Sequence, residues 1–154
     1  MSKLIIEFLA SFLLWFMFFG LFVLWFTDGK IKKEQVIHAI FAASSAWVIA
    51  HLIKAIFPTL RPFQVNDSPT AVIIPLANGG FPSGHTAAAF ALAVTIWQHN
   101  KKAGVVFLVS ALLVGIGRML ANVHYPVDIL GGAVLGIVSA LAVEKLHFRK
   151  LFKK

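Results

Sequence analysis

Long apolar runs, parted by short basic clusters, constrain this chain more than any other feature of it. Five segments approach the roughly 20 mainly apolar residues that a helix needs to cross a bilayer: about 4–26, 36–57, 83–98, 103–121 and 126–143. In lipid, backbone polar groups must be satisfied within the spanning structure, so runs of this length fold as helices. The expected fold is therefore all-α, a polytopic transmembrane bundle of about five spanning helices in one domain over 1–154. The third and fifth runs are short, which places their ends in a protein-lined recess. The first run is longer than the apolar core of a signal peptide and has no small-residue cleavage site after it, so it is expected to be retained.

Composition supports lipid as the solvent. The chain is 59% hydrophobic and 13% charged, where soluble domains carry about 45–50% and about 25%. A net charge of +8 would suit nucleic acid only if the basic residues lay on one water-exposed face. They lie instead between the apolar runs, so a bilayer and not a nucleic acid is the expected partner. There are no cysteines, which removes disulfides and thiolate metal sites.

With five spans, the loops at 27–35 and 99–102 and the C-terminus share one side. That side holds Lys30, Lys32, Lys33, Lys101, Lys102, Lys145, Arg149, Lys150, Lys153 and Lys154, against Lys3, Lys54, Arg61 and Arg118 on the other. Because positive charge is retained on the cytoplasmic side, the N-terminus and a long polar loop at 58–82 are expected to face outward. Small residues such as Gly132, Gly136, Ala42, Ala43, Ser44 and Ser45 are expected to let helices pack closely.

The unusual polar residues all map to the outward end. Lys54 and Arg61 flank the end of the second span, Ser83, Gly84 and His85 open the third, and Arg118 closes the fourth. His124 lies in the following turn and Asp128 in the first turn of the fifth span. Ionisable groups at membrane depth are costly and therefore candidates for function. Three cations facing one carboxylate call for a bound anion, and Arg presents a planar fork that fits phosphate oxygens. The start of a helix at Ser83-Gly84 adds backbone N–H groups for the same anion. His124 and Asp128 stand four residues apart, so the carboxylate can orient one imidazole nitrogen and leave the other as a nucleophile. His85 can then protonate the leaving oxygen. Zinc on His85, His124 and Asp128 is disfavoured by the three nearby cations. His38, His51, His99 and His147 receive no role, and Asp67, Asn78 and Asn122 are read as structural.

Lys54-x6-Arg61-Pro62, Pro82-Ser83-Gly84-His85 and Arg118-x5-His124-x3-Asp128 together resemble the three signature motifs of the type-2 phosphatidic acid phosphatase superfamily. The resemblance runs over roughly residues 54–128 and implies a catalytic core at about 36–144. It implies a phosphohistidine on His124, with Asp128 as its partner and His85 as acid. Phosphate would be held by Lys54, Arg61, Ser83, Gly84 and Arg118, with no metal and no cofactor. The implied activity is hydrolysis of a lipid phosphate or diphosphate, first of all undecaprenyl diphosphate to undecaprenyl phosphate, in the plasma membrane. Phosphatidate or phosphatidylglycerophosphate is the alternative substrate, and a non-catalytic lipid-phosphate binding or transport protein the alternative class. Oligomeric state is not legible. Two departures stand out. Gly117 occupies a place where the family usually has Ser, which suggests a missing hydrogen bond near the phosphate, and many bacterial members have six spans.

Overall fold

The computed structural model describes residues 2–27, 33–72 and 79–145. Lys30, Lys32, Arg149, Lys150, Lys153 and Lys154, which carry much of the charge asymmetry, lie outside that range, as do Asn78 and His147. The described residues are helical, with no strand among them. The long helices are α1 (Lys3–Thr27), α2 (Lys33–Ile56), α4 (Gly84–His99), α5 (Lys101–Leu120) and α6 (Pro126–Glu144), with a short α3 (Pro62–Asn66) in the loop after α2.

Of these, α1, α2, α5 and α6 are long and apolar enough to cross a membrane. The fifth run is thus not short, since α6 continues for 19 residues. The third is. α4 has 16 residues, about 24 Å at 1.5 Å per residue, less than the roughly 30 Å hydrocarbon core. Its surroundings explain how so short a helix is accommodated: α4 packs against α1, α2, α5 and α6 and is the enclosed centre of the bundle. Ala87, Ala88, Ala89, Ala91 and Ala93 are all buried, and a helix of alanines admits neighbours on every side. Across from it, a Cβ on Gly132 or Gly136 of α6 would collide with the carbonyl oxygens of Ser83 or Ala87. These two glycines bring the α4 and α6 backbones together, as expected. Ala42 and Ala43 are likewise buried, whereas Ser44 lines a cleft.

The bundle exterior is the reverse of a soluble protein's. Trp15, Phe16 and Phe19 on α1, Val106 and Leu112 on α5, and Leu130 and Val134 on α6 are exposed. Apolar surface on this scale exceeds what a water-soluble monomer presents, and it makes the chain a multi-pass membrane protein.

Local chemistry sets the helix ends that carry the polar residues. Only Asn100 separates α4 from α5, and its side-chain oxygen accepts from Ala103 N at 3.1 Å. Arg61 N donates to Gln64 Oε1 at 2.8 Å to start α3, and Asp67, in the left-handed region at φ 49°, ends it. The α5–α6 turn contains a second left-handed residue, Asn122, at φ 61°. Its side-chain amide pairs with that of Asn66 at 3.1 and 3.2 Å, while Phe63 N donates to its carbonyl at 3.2 Å. This double tie holds the α2–α4 loop against the α5–α6 turn, so Asp67 and Asn122 act structurally.

Candidate active site

The His124 ring has both nitrogens engaged, and the partners fix its tautomer. Nδ1 lies 3.2 Å from Asp128 Oδ2, and Nε2 lies 3.3 Å from Arg61 Nη1. A carboxylate only accepts and a guanidinium only donates. Hence Nδ1 carries the hydrogen and Nε2 presents its lone pair. Asp128 is itself held, because its Oδ2 also accepts from Tyr125 N at 2.9 Å at the start of α6. Pro126 in the first helical turn suits this geometry, since its fixed φ matches a helix start and it has no N–H to satisfy.

Arg61 is 1% exposed, and its orientation is set by backbone carbonyls. Nη1 donates to Val123 O at 3.0 Å and Nη2 to Gly79 O at 3.2 Å. Burial lowers its pKa from the ordinary value, with Asp128 opposing the shift, and a guanidinium so placed still keeps its charge at neutral pH.

The remaining predicted residues converge on the same end. Lys54, in the last turn of α2, is buried within electrostatic reach of Arg61, Arg118 and Asp128. Ser83 N donates to Asp128 O at 2.9 Å, joining the starts of α4 and α6. The Ser83 hydroxyl accepts from Thr86 Oγ1 at 3.0 Å, which leaves its own hydrogen to donate elsewhere. Gly84 is packed so that a Cβ would stand 3.3 Å from His51 Cε1 and 3.4 Å from Trp47 Cδ1. His85 lies within electrostatic reach of Arg118, His124, Lys54 and His51. It also lines an apolar cleft of about 530 Å³, together with Leu14 and Phe18 of α1, Trp47 and Val48 of α2, and Ala88 of α4.

Arg118 closes α5 and reaches across to α1, where Nη1 donates to Ala10 O at 3.1 Å. Ala10 sits in a π-helical turn at Phe8–Phe12 inside α1, a local widening frequent at functional sites. Gly117 explains the close approach. A Cβ there would stand 2.7 Å from the Leu9 carbonyl carbon and 2.8 Å from Ala10 N. The missing serine is therefore a requirement of helix packing. A Cβ there would face α1, which gives the glycine a packing reason beside the expected loss of a hydrogen bond.

Several neighbours had no signal in the sequence reading. Thr86, Gly79 and Thr59 bear on the site through Ser83, Arg61 and the Gly80–Phe81 backbone, respectively; Thr59 O accepts from Gly80 N at 2.9 Å and its Oγ1 from Phe81 N at 2.8 Å. His51, given no role from sequence, stacks on Trp47 with ring centroids 3.8 Å apart, against Gly84.

Three buried cations around one buried carboxylate need an anion, and an imidazole lone pair held beside them needs an electrophile. A phosphoryl group is both, and the class so defined is a multi-pass membrane phosphatase. Residues 35–152 match the family described as the PAP2 superfamily, and the chain belongs to that superfamily. It is 34% identical over 139 residues to the bacitracin transport permease protein BcrC of Bacillus licheniformis, covering 90% of this chain and 68% of that protein. It is 32% identical to the undecaprenyl-diphosphatase BcrC of Bacillus subtilis, covering 77% of this chain and 61% of that one. The chain thus spans about two thirds of the length of these relatives. Among solved structures it is similar to the crystal structure of Aquifex aeolicus LpxE, with a TM-score of 0.74 and 30% identity over 91% of this chain and 81% of the other.

Proposed function

We propose that the chain hydrolyses a lipid diphosphate or phosphate through a phosphohistidine on His124, with undecaprenyl diphosphate as its substrate and undecaprenyl phosphate as its lipid product. The observation that carries this reading is the pair of partners on the His124 ring: Nδ1 donates to Asp128 Oδ2, and Nε2 sits beside the Arg61 guanidinium. The similarity to an undecaprenyl-diphosphatase from Bacillus subtilis supports the choice of substrate. The cleft at His85 supports a lipid whose tail stays in the bilayer while its head enters the polar recess.

In the first step Nε2 attacks phosphorus and the bond to the leaving oxygen breaks, with His85 giving that oxygen a proton. In the second, water loses a proton to His85 and attacks phosphorus, the P–N bond breaks, and inorganic phosphate leaves. Lys54, Arg61 and Arg118 offset charge on the equatorial oxygens, the usual source of catalysis in phosphoryl transfer. The Ser83 hydroxyl and the Gly84 backbone add donors at the start of α4. Arg118 Nε, buried without an acceptor among the described residues, is a further donor for a phosphate oxygen. These cations supply the positive charge a metal would otherwise bring, so turnover is expected to persist in chelator. The proposed setting is the plasma membrane, with the N-terminus and site outside and the C-terminus in the cytoplasm.

The test is phosphate release from a panel of lipid phosphates by the detergent-purified protein in EDTA. Release from undecaprenyl diphosphate that falls at least about 10³-fold in His124→Ala supports the proposal. Undiminished release by the variant would sink the phosphohistidine, and a preference for phosphatidate would replace the substrate. Binding of the lipid without turnover would make the chain a carrier.

A further inference from the structure

The end of the bundle away from His124 holds a second cluster, made from residues that the phosphatase reading leaves unused. His38 lies near the start of α2, His99 ends α4 and Glu144 ends α6. Each offers one ligand atom, and the three atoms lie within 4.8 Å of one another. Both imidazoles approach the same carboxylate oxygen: His99 Nε2 is 3.3 Å from Glu144 Oε2, and His38 Nδ1 is 3.7 Å from it.

Ligand atoms at about 2.0–2.1 Å from a tetrahedral zinc stand roughly 3.3 Å apart, so side-chain adjustments alone would close the triangle around an ion. Two imidazoles and a carboxylate are a ligand set that zinc accepts, with a fourth position for water. Glu144 is partly exposed, at 35%, which gives an entry path. The helix ends add a local contribution. His99 and Glu144 are the last residues of their helices, where the dipole disfavours a carboxylate and favours a cation. The buried cations Lys54, Arg61 and Arg118 are all at the opposite end, and the lysines at this end, Lys33, Lys101, Lys102 and Lys145, stand at the helix termini.

We infer that His38, His99 and Glu144 bind a divalent transition-metal ion that clamps α2, α4 and α6 together at the end opposite the phosphate site. The ion is structural and takes no part in the chemistry at His124.

The protein, carrying an affinity tag without histidines and stripped with chelator, is titrated in detergent with Zn2+ and with Co2+. One equivalent of zinc is expected to bind and to raise the melting temperature by several degrees, and cobalt to develop ligand-field absorption. Both effects should vanish in His99→Gln and Glu144→Gln and persist in His124→Ala. Phosphate release, which uses none of the three ligands, shows whether the two ligand variants are folded. No uptake by the wild type, or uptake kept in both ligand variants, would overturn the site, as would loss in His124→Ala alone.

Discussion

At the scale of single residues, the decisive arrangement is a neutral imidazole between a carboxylate and a guanidinium. Burial holds the His124 pKa at about 4 instead of 6.5, with Arg118, Arg61 and Lys54 adding to the shift and the Asp128 hydrogen bond opposing it. The folded value lies below the unfolded one. The neutral ring therefore contributes stability that is complete above about pH 6.5 and is lost as pH falls through about 4. For catalysis, the acid limb of kcat/KM due to this nucleophile is expected near pH 4; a limb at the ordinary imidazole value would show a solvated ring. Asp128→Asn leaves a side chain of nearly the same shape but removes the obligate acceptor. It is expected to lower kcat by roughly 10²–10⁴-fold, by analogy with the oriented histidine of a catalytic triad, with little change in melting temperature. A loss under tenfold would mean that Asp128 only caps α6.

Between elements, the crossing of α1 and α5 couples packing to the site. Gly117 lets the Leu9–Ala10 backbone approach, and the next residue, Arg118, is anchored to Ala10 O. Restoring the family serine by Gly117→Ser should therefore harm this chain. Overpacking a close contact costs about 1–3 kcal/mol, read as a lower melting temperature, and the displaced Arg118 should lower kcat/KM as well. An active, equally stable Gly117→Ser protein would refute the packing account. The π-helical turn at Phe8–Phe12 belongs to the same crossing, and hydropathy carries no trace of it.

Over the whole molecule, the short α4 survives at the centre because four longer helices enclose it, and their outward faces meet lipid. Every residue proposed for phosphate chemistry lies at one end of that bundle, and the His38–His99–Glu144 cluster lies at the other. Four helices qualify as spans by length and composition; the proposed orientation counts α4 as a fifth crossing, which puts the two termini on opposite sides. Reporter fusions that glow only in the cytoplasm are expected to be bright at the C-terminus and dark at the N-terminus. The reverse pattern would place the site inside the cell and end the proposal of an outward-facing lipid phosphatase.

The apolar runs were legible because lipid makes each crossing satisfy its own backbone, so length and composition alone locate a helix. Lys54, Arg61, Ser83, His85, Arg118, His124 and Asp128 were legible because a polar group near a bilayer is costly enough to stand out. Lateral contacts leave no such mark. Which side chain meets which depends on shape and on residues distant in the chain. The tertiary structure alone therefore decided the His124 tautomer, the Ala10 anchor of Arg118, the reason for Gly117 and the meeting of His38 and His99 at Glu144.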